Sequence, residues 1–182
     1  MYLLPPNEYQ CAVARLKEMP INNLFARSVV EGHVDGKVYV DSIAHPRAFH
    51  VVHPYGMSLL YGEVDDEFLE SETRDYLLGS NGARTTVEWL QVYPSQLESR
   101  IDKMLGGELR IIDDTENCDR NDHPVVKHKR VNFKFNRNKY DQFRSRIDLG
   151  DYRFMKVDES LYHGAHGSVV PKKFWNKASE FL

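Results

Sequence analysis

Cysteine is scarce in this sequence, with Cys11 and Cys118 the two thiols among 182 residues. Two cysteines give neither a disulfide framework nor a metal-ligand pair, and this scarcity favours a reducing, cytoplasmic setting. No hydrophobic run approaches the length of a membrane-spanning helix. The first residues, Met-Tyr-Leu-Leu-Pro-Pro, lack the basic region and the apolar length of a signal peptide. The sequence therefore predicts no association with a membrane.

A strong charge of either sign is also missing, because the formal net charge is only −3. This balance of charges argues against non-specific electrostatic binding to nucleic acid or to an anionic membrane. The aromatic and basic run at 127–140 lacks the glycine-containing part of an RRM strand, and its phenylalanines alternate with its basic residues. Stacking and phosphate contact would then fall on opposite faces, so no nucleic-acid partner is predicted.

Apolar periodicity predicts an α/β (α+β) protein with a mixed, largely antiparallel sheet flanked by helices. Short β-rich runs at 34–40, 48–53 and 57–62 are separated by prolines and turn residues, which indicates an antiparallel meander. A helix is predicted from Asp65 or Asp66 to Leu78, where Gly79 ends it. A strand at 86–93 and a helix at 95–105 follow.

A polar stretch at roughly 107–128 is typical of a boundary between two modules, and we place the division between residues 1–122 and 123–182. Residues 130–136 read Arg-Val-Asn-Phe-Lys-Phe-Asn, and this alternation predicts a half-buried strand. An alternative interpretation is that the polar face of this strand is simply the solvent-exposed side of an antiparallel sheet. A helix capped by Asn138, a strand at 152–157 and a last helix from Pro171 complete the second module.

Six segments resemble a bacterial branch of the GNAT acetyltransferases. They are Asn-Leu-Phe-Ala at 23–26, Gly-Lys-Val-Tyr-Val-Asp at 36–41, Tyr-Gly-Met-Ser-Leu-Leu-Tyr-Gly at 55–62, Glu-Trp-Leu-Gln at 88–91, the run at 130–136, and Gly-Ser-Val-Val-Pro-Lys-Lys-Phe-Trp at 167–175. They span nearly the whole chain in the same order. The resemblance implies a GNAT-like N-terminal domain, at 1–122, followed by the start of a catalytic GNAT domain, at 123–182.

One feature of the resembled family has no counterpart in this chain. The resemblance implies acetyl-CoA as cofactor, held by its pyrophosphate on a Gln/Arg-x-x-Gly-x-Gly/Ala loop at a helix N-terminus. The glycine pairs at 164–167 and 79–82 do not have that spacing. We expect the sequence to stop before this loop, with the sheet incomplete at its C-terminal end, so that no cofactor-binding residue is assigned and this chain alone is inactive.

Glu88 is the candidate catalytic residue. It lies on the strand face that it shares with Leu90 and Val92, where a carboxylate can have a raised pKa and act as a general base towards an amine. A strand-end glutamate that reaches solvent is the alternative. Gln91 lies on the opposite strand face as a candidate substrate contact, and a hydrogen-bonded amide in the core explains it equally well.

Arg130, Asn132 and Asn136 are the other candidate substrate-binding residues, because they share the polar side of the run at 130–136 and domain interfaces tend to form pockets. No metal site is predicted. His163 and His166 lie three residues apart without a cysteine or carboxylate ligand nearby, which is too few ligands for a structural metal.

The resemblance implies an N-acetyltransferase that moves the acetyl group of acetyl-CoA to an amine of a small molecule or peptide. The alternative is a non-catalytic binding or scaffold domain derived from the GNAT fold. Both interpretations leave a homo-oligomer open.

Overall fold

The computed structural model describes residues 1–84, 86–112, 125–128, 133–144, 146–148 and 150–166. Its main element is a five-stranded sheet in the order β1-β2-β3-β4-β5. The strands are β1 (Tyr2–Leu3), β2 (Lys37–Val40), β3 (Ala48–His53), β4 (Met57–Gly62) and β5 (Trp89–Tyr93). Neighbouring strands from β1 to β4 are antiparallel, which confirms the predicted meander, whereas β5 lies parallel to β4.

Helices cover both faces of this sheet, as the predicted fold class requires. They are α1 (Gln10–Glu18), α2 (Leu24–Val30), α3 (Arg74–Leu78), which continues a π-helical segment at Phe68–Thr73, and α4 (Gln96–Leu105). Two more helices, α5 (Arg137–Arg144) and α6 (Glu159–Gly164), follow in the second half. No helix of the described residues is long and apolar enough to cross a membrane.

The alternation of side chains along β3 divides the core into two clusters. Phe49 and Val51 face α1 and α2, where they pack with Leu59 and Tyr61 of β4. Ala48 belongs to the opposite cluster, which the π-helical segment, α3 and α4 cover. Because successive residues of a strand point to opposite faces, a single strand can contribute to both clusters. The central strands are therefore buried from both sides.

A short parallel pair extends the fold beyond α4. It consists of β6 (Leu109–Ile112) and β7 (Val125–His128). Lys127 of β7 donates to the carboxylate of Asp102 on α4 at 2.7 and 3.0 Å. Residues 125–128 therefore pack on the N-terminal part of the chain. The predicted boundary at 122/123 lies outside the described residues.

Two predicted strands are wrong over the residues that the structure describes. Residues 133–136 form no strand, and Phe133 is 92% exposed instead of half-buried. Residues 152–157 form no strand either. Alternation alone does not make a strand, because the backbone also needs a neighbour with which to pair, and neither described segment has one. The predicted final helix from Pro171 lies outside the described residues.

The end of α3 depends on a glycine and an arginine. Gly79 adopts a left-handed conformation with φ +74° and so ends the helix, as the sequence predicts. The Arg84 guanidinium then donates to the carbonyls of Leu77 at 2.8 Å, of Tyr76 at 3.3 Å and of Thr86 at 3.3 Å. A cation at a helix C-terminus satisfies carbonyls that lack an intrahelical partner and interacts favourably with the helix dipole.

We expect Arg84→Ala to lower the free energy of unfolding by about 2 kcal/mol, because three carbonyls lose a charged donor. Urea denaturation followed by circular dichroism measures this change. Arg137→Ala is the matched control, since Arg137 is exposed and its guanidinium pairs with Asp141 one helical turn away, a pair worth about 0.3–0.5 kcal/mol. Equal losses in the two variants would contradict the capping role of Arg84.

Candidate functional site

Glu88 lies directly before β5, on the sheet face that α3 and α4 cover. Its side chain is only 6% exposed. The Tyr76 hydroxyl of α3 donates to Glu88 Oε2 at 2.7 Å, and His50 Nε2 of β3 lies 3.6 Å from Glu88 Oε1. The structure thus overturns the alternative in which this glutamate reaches solvent. The carboxylate belongs to a buried polar cluster, defined as His50, Ser58, Tyr76 and Glu88.

Aromatic packing fixes the imidazole of this cluster. The rings of His50 and Tyr76 meet edge to face with their centroids 4.7 Å apart, and the Tyr39 ring lies 5.7 Å from that of Tyr76. His50 is fully buried, because positions 48, 50 and 52 of β3 share one face of the sheet. The cluster therefore has a fixed geometry inside the core.

The pKa of Glu88 moves in the direction opposite to the predicted one. Burial by itself raises the pKa of this carboxyl, but the neighbouring His50, Ser58 and Tyr76 side chains favour the charged form, and the net effect lowers the pKa. Burial and the adjacent carboxylate together raise the pKa of Tyr76, so the phenol keeps its proton and remains a donor. A carboxylate with a lowered pKa is a weaker base.

The lowered pKa of Glu88 disfavours general-base chemistry. The enclosure of its carboxylate disfavours it as well, because a substrate amine cannot reach it. A base has to come within hydrogen-bond reach of the proton that it removes, and the side chain of Glu88 is enclosed by Tyr76, His50 and the sheet. The arrangement instead suits a structural carboxylate that accepts a hydrogen bond from α3.

Gln91 lies on the other face of β5, as predicted, where it is paired in register with Leu59. Its Nε2 is buried and has no hydrogen-bond partner among the described residues. The structure therefore does not bring Glu88 and Gln91 into one site. Trp89 shares the face of Gln91, is half exposed, and has its ring centroid 5.4 Å from that of His128.

Asn136 begins α5, and its Oδ1 accepts a hydrogen bond from the amide of Lys139 at 3.0 Å. This makes Asn136, and not the predicted Asn138, the cap of that helix. Asn136 also lines an open cleft of about 440 Å³ with Lys134, Phe135, Arg137 and Asn138. The other two candidates from this run, Arg130 and Asn132, lie outside the described residues. Of these three residues, Asn136 is the one that the structure describes, and it remains a candidate substrate contact.

Acetyl-CoA would need a helix N-terminus that accepts a pyrophosphate. In α/β sheets such ligands bind beyond the carboxyl ends of parallel strands, and β4 is the parallel neighbour of β5. Asp65 precedes the helical segment after β4, and its Oδ1 accepts from the amide of Phe68 at 2.8 Å, while Asp66 and Glu67 lie in the first turn. Asp66 pairs with Arg100, but the exposed carboxylates of Asp65 and Glu67 keep this helix start acidic, so it does not fit a pyrophosphate.

Metal binding has no support among the residues that the structure describes, where no three His, Cys, Asp or Glu side chains gather as ligands. His163 lies on α6, and its Nε2 is 4.0 Å from a carboxylate oxygen of Glu159.

No protein-family model matches this chain, and no curated protein matches it significantly. The functional assignment therefore rests on the residues and the fold of the chain itself.

The partners of Glu88 are not predictable from the local sequence. His50 and Tyr76 are 38 and 12 residues away along the chain, and no local pattern connects them. One signal was present: His50 shares the face of Ala48 and Val52 on a strand rich in apolar residues, and a polar residue in such a position needs a buried partner.

Proposed function

We propose that this chain belongs to the GNAT-type N-acetyltransferases and that residues 1–122 are its GNAT-like N-terminal domain, which has a structural role and no cofactor site. The observation that supports the proposal most is the mixed sheet, in which an antiparallel meander, β1 to β4, is followed by a helix and a parallel strand, β5. A GNAT-like domain has a sheet of this kind. The six sequence segments that resemble the family occur in the same order along the chain.

The proposed reaction moves an acetyl group from the thioester of acetyl-CoA to a primary amine of a small molecule or peptide. A base takes a proton from the ammonium, the amine nitrogen attacks the thioester carbonyl, and the C–S bond breaks to release the CoA thiol and an amide. We assign none of these steps to Glu88, because its carboxylate is enclosed. In this proposal the described sheet supports the catalytic domain and helps to shape the acceptor cleft, to which Asn136 contributes.

A second candidate function is a non-catalytic binding or scaffold domain derived from the same fold. The acidic helix start at Asp65, Asp66 and Glu67 favours it, because this position would repel a nucleotide phosphate. Under this proposal the chain binds a partner and catalyses no acetyl transfer.

Calorimetric titration with acetyl-CoA separates the two functions. We expect the 182-residue chain to show no binding at micromolar concentrations, since its helix start at Asp65 does not fit a phosphate. Under the acetyltransferase proposal, any longer product of the same gene should bind acetyl-CoA and release free thiol when primary amines are added. A longer product that neither binds acetyl-CoA nor releases thiol with any amine in a broad panel would exclude the acetyltransferase and leave the scaffold function.

A further inference from the structure

Three parts of the fold meet at the carboxylate of Glu88. Tyr76 belongs to α3, His50 belongs to β3, and Glu88 itself leads directly into β5. The contacts are the 2.7 Å hydrogen bond from the Tyr76 hydroxyl and the 3.6 Å approach of the His50 imidazole. The carboxylate thus connects the beginning of the edge strand to a helix and to a central strand.

The buried polar cluster has few hydrogen bonds, although its side chains lie deep in the core. Both nitrogens of His50, Ser58 Oγ and Glu88 Oε1 are buried without a hydrogen-bond partner among the described residues. The 2.7 Å hydrogen bond from Tyr76 is the shortest polar contact of the cluster, and its strength depends on the charge of the carboxylate.

Apart from the packing of Leu90, Val92 and Tyr93 against the two apolar clusters, β5 is attached to the sheet through β4. Within the described residues it is the edge of the five-stranded sheet and pairs only with β4. Trp89 donates its amide to the carbonyl of Gly56 at 2.8 Å. By the alternation of a β-ladder, the amides of Gln91 and Tyr93 also point towards β4. An edge strand held by one neighbour opens more easily than a central strand.

We infer that the Glu88 carboxylate is an acid-sensitive latch, whose protonation releases β5 from β4 before the rest of the domain unfolds. The titratable and charged groups around it are His50 of β3, Tyr76 of α3, Tyr39 of β2, and Arg84, whose guanidinium contacts the Tyr76 carbonyl. Neutralising the carboxylate weakens the bond from Tyr76 and leaves His50 beside an uncharged group. This inference holds whether or not the chain serves an acetyltransferase.

The direction of the pH dependence follows from the lowered pKa of Glu88. A carboxylate whose pKa is lower in the folded state than in the unfolded chain contributes stability that is complete above the unfolded pKa of about 4.3. That contribution is lost as the pH falls through the folded pKa. The latch is therefore closed at neutral pH and opens in acid.

Hydrogen exchange measured by NMR at pH 7 and at the lowest pH at which the domain is still folded tests the latch. We expect the protection factors of the Gln91 and Tyr93 amides to fall at least tenfold more in acid than those of the amides that join β2 to β3. In Glu88→Gln, which mimics the neutral acid, the β5 amides should already lose about tenfold protection at pH 7 and show no further selective loss in acid. Tyr76→Phe, which removes the donor and keeps the carboxylate, should also lower the protection of the β5 amides at pH 7.

Glu70→Gln is the matched control, because Glu70 is an exposed glutamate on the π-helical segment, and it should behave as the wild type at both pH values. The latch is excluded if the β5 and β2–β3 amides of the wild type lose protection to the same extent in acid. It is also excluded if Glu88→Gln keeps the selective acid response. The wild-type comparison decides the question even if a variant does not fold.

Discussion

Phe49→Ala is expected to remove about 4 kcal/mol from the free energy of unfolding, the middle of the range for deleting a buried phenylalanine. Phe49 is 1% exposed in the centre of β3, and its ring stacks on Tyr61 at 5.1 Å between centroids. The substitution loses the apolar area and leaves a cavity that α1 and α2 cannot close. Small domains are stable by only about 5–15 kcal/mol, so this single change consumes a large share of the total.

Phe133→Ala is the control for this prediction, because the same atoms are removed from a side chain that is almost completely exposed. Its unfolding free energy should stay within about 0.5 kcal/mol of the wild type. Urea denaturation of both variants measures the difference. A loss in Phe133→Ala as large as that in Phe49→Ala would mean that Phe133 is buried and that the described position of residues 133–136 is wrong.

Gly62→Ala should be destabilising by about 3 kcal/mol or more, for two reasons that act together. Gly62 has φ +101°, a conformation that L-residues rarely adopt and that costs about 1–3 kcal/mol. In addition, an added Cβ would clash with the carbonyl oxygen of Arg47. That oxygen cannot move away freely, because it accepts a hydrogen bond from the amide of Glu63 at 2.9 Å.

Gly82→Ala is the control that separates the cost of the positive φ from the cost of the clash with Arg47. Gly82 also has a positive φ, of +68°, but a Cβ there would meet no atom within 4 Å. We expect this control to lose only about 1 kcal/mol, the cost of the backbone conformation alone. Thermal or urea unfolding of the two variants measures the difference. If Gly62→Ala is no less stable than Gly82→Ala, the close approach of Arg47 and Gly62 does not exist in solution.

Local patterns were sufficient to predict β2 to β5, the helix that ends at Gly79 and α4, whereas β1 and the π-helical segment were not predicted. Apolar alternation gave the strands of the meander, and Gly79 correctly ended the helix that begins after Asp65. These signals lie within a few residues of one another, so they do not depend on the tertiary fold. The parallel direction of β5 could not be predicted, because a parallel and an antiparallel edge strand have the same alternation.

The candidate site was harder to predict than the fold. Glu88 was correctly placed on the apolar face of its strand, but the direction of its pKa shift depends on His50 and Tyr76, which reach it from other elements. The strand predicted at 130–136 is wrong over its described residues for a different reason. Its alternation is regular, yet Phe133 and Phe135 are exposed, because a pattern specifies a strand only where a neighbouring backbone completes the ladder.

The parallel pairing of β4 and β5 also determines an order of assembly. β2, β3 and β4 are joined by short connections, so their pairing closes small loops at little entropic cost. β5 reaches β4 only after the chain has crossed the sheet through residues 63–88, including the π-helical segment and α3. The longer connections before β2 and after β4 carry a larger loop-closure cost. We therefore expect β2, β3 and β4 to pair first, and β1 and β5 to add to a surface that already exists.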